Sequence, residues 1–246
     1  MTAADGRSRI LEEVIAVGDM TRRMAQRYED LFSLFGSEAL AAAERAPDIE
    51  SAAWDVLTLL EAATSGYTQH FPNQPATDCR PGCAACCHLY VSVAPGLAAL
   101  AADYIYEHFA LREIETLTAE LRRTDAAHKA ATDPVALRLR CPLLGADNAC
   151  KIYPVRPISC RAFTSKDAAR CDAFVFSRSG SGIDQNPALF RFHSLATAAL
   201  QLAARDRDLD NDATGLVEAL IWELDHRKSS KGLAEDAAAG EAEIDG

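Results

Sequence analysis

The apolar positions near the start of the chain recur at helical spacing. From Arg9 to Phe35 they fall three, four and seven residues apart, which is one face of an amphipathic helix. This face comprises Ile10, Val14, Val17, Met24, Tyr28, Leu31 and Phe35. The pattern predicts that the face is buried, and that Met20 and Met24 belong to the core rather than to a metal site.

Glycine and proline divide the rest of this region. Gly36 is predicted to end the first helix, and Ser37 to cap a shorter helix over 37–45. A proline and an aspartate then begin another helix, predicted over 47–66. Residues 1–66 are therefore interpreted as an N-terminal helical segment.

Periodicity is interrupted in the middle of the chain. An irregular connector leads into the first cysteines, and residues 89–93 follow as either a short strand or extended chain. Pro95 and Gly96 are predicted to open a helical stretch over 95–131. From 134 to 186 no sustained periodicity returns, and cysteines, prolines and glycines dominate. Residues 67–186 are therefore interpreted as a cysteine-rich metal-binding region with an inserted helix.

The last part of the chain is again helical in pattern. Apolar residues predict helices starting at Pro187 and across 213–226, so residues 187–227 are assigned as C-terminal helices that pack on the same domain. Residues 228–246 are acidic, lack aromatic residues and predict a disordered tail. The predicted fold class is all-α, a helical domain around a loop-built, cysteine-rich metal site.

Length and charge exclude several classes of function. A chain of 246 residues can bury a core without disulfide crosslinks. Its N-terminus has no apolar signal region, and no apolar run approaches the length of a membrane span, so a cytoplasmic protein without a membrane partner is expected. The net charge of −11 argues against nucleic acid as a partner.

The eight cysteines are the most chemically committed feature. They form two groups, Cys79, Cys83, Cys86 and Cys87, then Cys141, Cys150, Cys160 and Cys171. In a reducing compartment such clusters are more often metal ligands or redox groups than disulfides. The two-residue gap from Cys83 to Cys86 suits a turn that aims both sulfurs at one metal. The adjacent pair Cys86 and Cys87 is expected to diverge, so that one thiol is spare or the two serve different centres.

Basic residues accumulate beside the second group of cysteines. Between positions 134 and 166 the chain carries Arg138, Arg140, Lys151, Arg156, Arg161 and Lys166 against the single acid Asp147. Cations near thiolates favour the ionised thiol, so this island is expected to stabilise a metal–thiolate site. A solvated basic loop is the alternative interpretation.

The cysteine pattern resembles that of the YkgJ-type cysteine-cluster family, a domain associated with zinc or iron chelation. The resemblance rests on the closely spaced cysteines followed by the run from Cys150 to Arg161, CKIYPVRPISCR. The matching cysteines are Cys83, Cys86, Cys87, Cys141, Cys150 and Cys160, with Tyr153, Arg156, Pro157 and Arg161 as accompanying residues. Cys79 departs from the family pattern, because three residues rather than two separate it from Cys83, and Cys171 lies beyond the core pattern.

The sequence therefore predicts a metal site with a defined set of residues. Cys83, Cys86, Cys150 and Cys160 are predicted ligands that converge on one centre, with Cys87 and Cys141 at that centre or a second one. Cys79 and Cys171 complete the candidate ligand set, and His88 is an alternative ligand. Tyr153, Arg156 and Arg161 are assigned to surround the site, with the tyrosine packing over it as a lid.

Two functions follow from such a site. The first is a metal-binding protein that chelates zinc or iron and presents a surface to a protein partner. The alternative is an iron–sulfur-dependent enzyme or accessory protein for redox or methyl-transfer chemistry. The resemblance allows the alternative, because a similar cysteine cluster occurs in some bacterial flagellin lysine methylases. The sequence leaves the enzyme question open.

Overall fold

Helices form most of the structure, a computed structural model that describes residues 3–71, 76–80, 82–179 and 182–227. The helices are α1 (Ala3–Arg45), α2 (Ile49–His70), α3 (Leu97–His108), α4 (Leu111–Ala130), α5 (Ile158–Arg161), α6 (Ala168–Phe176), α7 (Pro187–Arg205) and α8 (residues 216–227). Strands β1 (Ser92–Val93) and β2 (Thr214–Gly215) pair antiparallel, and short 3₁₀ turns cover Ala85–His88, Pro134–Ala136 and Tyr153–Val155. The predicted all-α class is confirmed.

The main core forms where α1, α2 and α7 pack on one another. Phe192 of α7 lies at its centre, with ring centroids 4.7 Å from Phe32 and 5.1 Å from Phe35. Alanines line the neighbouring positions of all three helices, so the helix axes can approach closely. Asp48 begins α2 as predicted, since its side chain accepts a hydrogen bond from the Ser51 N–H at 2.7 Å.

The prediction that Gly36 ends the first helix is wrong, because α1 continues without a break to Arg45. A Cβ atom at position 36 would lie 3.4 Å from the Leu195 side chain of α7. The glycine therefore lies where two helices contact each other. Helix packing outweighs the cost of about 1 kcal/mol that glycine carries in a helix interior.

The first half of α1 also differs from its prediction. The face predicted to be buried is exposed at Ile10, Val14, Val17 and Met24, and Met20 is exposed with it. The same face is buried only from Phe32 onwards, where α2 and α7 lie against it. Helical periodicity thus identified the apolar face but could not show how far its partner helices extend.

Helix α3 begins at Gly96, as the proline–glycine pair predicted. Gly96 has a left-handed backbone with φ of 81°, and a Cβ there would lie 2.2 Å from the Ile49 carbonyl oxygen. Only glycine allows the start of α3 to approach the start of α2 this closely. The helices over 95–131 and from Pro187 are likewise present as α3, α4 and α7.

The region between 134 and 186 contains a helix that the sequence pattern did not predict. Helix α6 spans nine residues, and its first turn is capped by Asp167, whose side chain accepts from the Arg170 N–H at 3.0 Å. The aspartate before a short apolar run is the signal that could have identified it.

Two further expectations concern the C-terminal tail and membrane-spanning helices. The predicted disordered tail over 228–246 lies outside them. Within them, none of the helices combines the length and the apolarity that crossing a bilayer requires.

Candidate metal centre

A tight turn positions the first cysteine group. Gly82 has a φ of 84°, and the Cys83 N–H donates to the Arg80 carbonyl at 2.9 Å. The 3₁₀ turn that follows carries Cys86 and Cys87, and the interaction with Cys87 is the largest cause of the raised pKa of Cys86. Both side chains line one cavity, and the expectation that they diverge to serve different centres stays a prediction.

A small hairpin carries Cys141 and Cys150. Its two arms are held by hydrogen bonds from Lys151 N to Leu143 O at 2.9 Å and from Gly145 N to Ala149 O at 2.8 Å. The guanidinium of Arg140 donates to two carbonyls of the turn, those of Leu144 and Gly145. The hairpin is joined to the first cysteine group, because the Cys141 N–H donates to the Cys87 carbonyl at 2.8 Å.

Helix α5 brings Cys160 to the same place. The Ser159 hydroxyl donates to the Ser92 carbonyl at 2.6 Å and so fixes α5 to strand β1. The proline before α5 and the 3₁₀ turn at Tyr153–Val155 limit the backbone on its N-terminal side. Cys141, Cys150 and Cys160 all pack against the main core.

Cys79 and Cys171 both lie close to Ser165. The Cys79 sulfur accepts from the Ser165 N–H at 3.2 Å and lies 3.3 Å from the Phe163 carbonyl. Cys171 lies in α6, in a small second cluster with Ala85 and Val175. Cys79 is exposed, whereas Cys171 is buried.

Five cysteines open onto one cavity of about 270 Å³. These are Cys86, Cys87, Cys141, Cys150 and Cys160, and Arg156 lines the same space. The other walls are mostly apolar, and the ring of Tyr90 meets His128 there at a centroid distance of 5.0 Å. Three separate segments of the chain, the 3₁₀ turn, the hairpin and α5, thus bring thiols to one cavity.

Burial raises the pKa of four of these thiols, Cys86, Cys141, Cys150 and Cys160. It raises the pKa of Cys141 to about 11 and raises that of Cys160 further, where Cys141, Cys150 and Cys86 add to the effect. For Cys86 the hydrogen bond with Cys87 raises the pKa most, followed by burial. Burial also raises the pKa of Cys150, Cys79 and Cys171.

The mutual effects on pKa distinguish two groups of thiols. Cys141, Cys150 and Cys160 are each affected by Cys86, whereas Cys79 and Cys171 are affected by both Cys83 and Cys86. We call the first set, Cys86, Cys141, Cys150 and Cys160, the inner thiols, and Cys79, Cys83 and Cys171 the outer thiols. Cys86 lies between the two groups.

The residues of the basic island interact with different partners. Arg156 lowers the pKa of Cys86, Cys150 and Cys160, as predicted for a cation beside thiols, although burial outweighs this effect. Arg140 lowers that of Cys141. Lys166 instead pairs with Asp184 at 3.1 Å, and Lys151 is exposed.

Arg161 lowers the pKa of Cys150, and both Arg161 and Tyr153 contact Arg156 or its loop. The Arg161 guanidinium donates to the carbonyls of Arg156 and Pro154, each at 2.7 Å, and so holds the loop that carries Arg156. The Tyr153 ring is exposed and lies 4.9 Å from the Arg156 guanidinium. His88, the alternative ligand, has its Nδ1 3.0 Å from the Ala84 carbonyl and its ring against Phe176.

The thiols do not converge as tightly as the sequence suggested. Among the described residues no group of three or more Cys, His, Asp or Glu side chains is arranged so that it could hold a metal ion as it stands. The four-sulfur convergence predicted for Cys83, Cys86, Cys150 and Cys160 is therefore not seen. The eight cysteines are all free, and their chemistry suits zinc or iron, which favour thiolate ligands.

Several residues of the site carried no signal in the sequence. Arg140 anchors the hairpin and Asp78 accepts from the first N–H of α6 at 2.9 Å, yet neither lies in a recognisable motif. Tyr90 and His128 come together from positions far apart in the chain. Only the tertiary fold brings them beside the thiols.

The fold and site define the class: an all-α protein with a cysteine-rich, loop-built domain inserted between helices. Residues 78–177, which include all eight cysteines, match the model of the CxxCxxCC family, described as "Putative zinc- or iron-chelating domain". This match confirms the resemblance found in the sequence and supports metal binding. Neither among curated proteins nor among solved structures was a match found.

Proposed function

We propose that the inner thiols bind zinc or iron. The observation that carries this proposal is that Cys86, Cys141, Cys150 and Cys160 line one cavity while coming from three separate segments. Four thiolates are the usual complement of a closed zinc site and of an iron–sulfur cluster. Cys87 lies at the same cavity and is the fifth thiol within reach.

This ligand set differs from the sequence prediction at one position. Cys141 replaces Cys83, since Cys141 lines the cavity and Cys83 belongs with the outer thiols. Cys83 is still a neighbour of this ligand set, because only two residues separate it from Cys86.

Metal binding must remove protons from buried thiols and draw the sulfurs together. The raised pKa values of Cys141 and Cys160 show that the free thiols are neutral at physiological pH. A bound cation offsets the charge of the thiolates, and Arg156 offsets part of the remainder. A tetrahedral ion would be held by Cys86, Cys141, Cys150 and Cys160, and their sulfurs would then need to lie about 3.5–4 Å from one another.

The test is the metal content of protein purified without oxygen. We expect about one equivalent or more of zinc or iron in the natural protein, and less than a tenth of that after Cys150→Ser or Cys160→Ser. Cys79→Ser is the matched control, because Cys79 is exposed and does not line the cavity. Full metal content in both inner-thiol variants would contradict the proposal.

A second candidate is an iron–sulfur cluster in place of a single ion. The cavity favours it, because a fully closed zinc site needs no open space beside four thiols, whereas this one is about 270 Å³ with largely apolar walls. Such a cluster would supply electrons for redox or radical-based methyl-transfer chemistry in an enzyme or accessory protein. Visible absorption with matching amounts of iron and acid-labile sulfide would establish it, and a colourless zinc protein would exclude it.

The cellular setting we propose is a reducing compartment, the cytoplasm. All eight cysteines are free, although several of them lie near one another. An oxidising compartment would convert such neighbours into disulfides. Titration of free thiols in protein freshly released from cells, compared with the same protein after chemical reduction, tests this setting.

A further inference from the structure

The first half of α1 has no partner within the described chain. From Arg7 to Arg27 every residue except Asp19 is exposed. Large apolar side chains lie in this stretch, with exposed fractions from 46% to 68%, at Ile10, Leu11, Val14, Ile15, Val17, Met20 and Met24. A single helix of this length is marginal in water without packing on another element. This half of α1 therefore needs something to cover it.

The apolar positions form a heptad seam. Ile10, Val14, Val17, Thr21, Met24 and Tyr28 are separated alternately by four and three residues, the spacing that a two-stranded coiled coil requires. From Leu31 onward the same seam packs on the core of its own chain. The exposed part thus ends where Tyr28 meets Tyr67 and Phe71.

The seam is complementary to itself when two copies run antiparallel. If Ile10 lies opposite Tyr28 of a second copy, Val14 lies opposite Met24 and Val17 lies opposite Thr21. The twofold axis then crosses the helix at the level of Asp19. The overlap then covers the whole exposed seam and stops where each helix joins its own body. No other register of two antiparallel copies uses the full length.

Charge supports this register. Glu13 and Arg27 flank the seam on the same side, each one residue before a seam position. Same-side flanking positions face each other in an antiparallel pair. Glu13 therefore faces Arg27 of the second copy, and the twofold symmetry makes this pair twice. Neither side chain has an ion pair within the described residues.

The opposite flank permits close contact. Gly18 faces Gly18 of the second copy, and nothing lies within 4 Å of the Cβ that another residue would carry there. On each side of this glycine pair, Leu11 of one copy faces Ala25 of the other. In a parallel pair Glu13 would face Gly18 instead, and neither charge would be matched.

We propose that the exposed half of α1 is a homodimer interface, in which two copies pair as an antiparallel coiled coil over residues 10–28. The occupant is a second copy of this chain, because both the apolar seam and the two charges are matched by the same sequence in reverse. The interface lies on α1, away from the thiols, so it is independent of metal binding.

Sedimentation of the full chain at low salt, over concentrations up to about 100 µM, tests the proposal. We expect a reversible dimer. Glu13→Arg and Arg27→Glu should each raise the dimer dissociation constant on the order of tenfold, because two attractive pairs become two repulsive pairs. The double variant Glu13→Arg/Arg27→Glu should return to the natural value, since it only exchanges the two charges.

Glu12→Arg is the matched control. It makes the same change of charge one residue earlier, at a position that points away from the seam, and should leave the dissociation constant within about twofold. All four variants alter exposed positions, so far-UV circular dichroism should show the natural helix content.

Three results would overturn the proposal. A natural protein that stays monomeric up to about 100 µM has no such interface. A dimer that responds equally to Glu12→Arg and Glu13→Arg, or that the double variant fails to restore, uses another register or surface. A monomer that sediments with vesicles of phosphatidylcholine and phosphatidylserine uses this face for lipid.

Discussion

Arg156 shows how a single residue connects two parts of the site. Its buried Nε finds no hydrogen-bond partner among the described residues, and its guanidinium lies between the exposed Tyr153 ring and the inner thiols. A cation held without a carboxylate partner is costly unless it meets a negative charge. A metal–thiolate centre with net negative charge would supply that charge.

Replacing Arg156 with methionine should therefore weaken metal retention. We expect the concentration of chelator that removes half of the metal to fall by about tenfold, because the thiolates lose their nearest cation. Titration with a chromogenic chelator at fixed pH measures this value. Lys151→Met removes an exposed cation of the same island and should change nothing. Equal effects of the two substitutions would show that Arg156 acts only through net charge.

Among the elements, α6 depends most on the site beside it. Its core is the small cluster of Ala85, Cys171 and Val175, which is separate from the main core. Few buried apolar contacts give an element low local stability. The main-core helices α1, α2 and α7 bury far more and do not need the thiols.

Metal removal should therefore loosen α6 and the cysteine turns before the helical body. We expect amide hydrogen exchange in residues 168–176 to speed up by at least about tenfold on chelation, while α2 and α7 stay protected. Limited proteolysis should cut within 79–171 under the same conditions. Exchange that is unchanged in α6 would mean that this region folds without metal.

The junction of α2 and α3 gives a second test at the scale of elements. Gly96→Ala should lower the free energy of unfolding by about 2–4 kcal/mol, since the left-handed backbone and the contact with the Ile49 carbonyl both disfavour a Cβ. Gly66→Ala in α2 is the control, because nothing lies within 4 Å of its Cβ. That change should stabilise the protein by about 0.5–1 kcal/mol. Urea unfolding measures both.

Across the whole molecule, Arg227 joins the last helix to the body. Its guanidinium donates to Asp103, to Glu223 at 2.5 Å and to Glu50 at 3.1 Å, and so ties α8 to α3 and α2. Arg207 makes a similar connection at the end of α7, where it donates to the carbonyls of Ala43 and Ala46. Both arginines join segments that are far apart in the sequence.

The carboxylates around Arg227 make the stability of the protein depend on pH. Burial and a hydrogen bond with Asp103 raise the pKa of Glu50 to about 7, and Arg227 only partly opposes them. Between pH 4.5 and 7 the folded protein keeps a proton on Glu50 that the unfolded chain releases. The protonated Glu50 therefore contributes to the free energy of unfolding below pH 4.5, and this contribution is lost as the pH rises to 7.

Glu50→Gln should remove this dependence. We expect the melting temperature of the variant to change less than that of the natural protein between pH 4.5 and 7, because glutamine stays neutral. Asp55→Asn in the same helix is the control, since Asp55 is exposed. A natural protein whose stability rises steadily over this range would contradict the raised pKa of Glu50.

Local sequence determined much of the secondary structure and the chemical nature of the site. Asp48, Gly96 and Pro187 start helices through backbone preferences that act within a few residues, and the structure agrees. Cysteine spacing identified the thiols and the resemblance of residues 78–177 to a chelating-domain family, because a metal-binding motif is a local arrangement of ligand types.

Tertiary structure alone decided what lies against what. Gly36 stays in a helix because Leu195 lies against it, and Val14 and Met24 stay exposed because α2 and α7 end before reaching them. Cys141 rather than Cys83 joins Cys150 at the cavity because a backbone hydrogen bond to Cys87 places it there. These outcomes depend on contacts between distant segments, which periodicity and spacing along one chain do not encode.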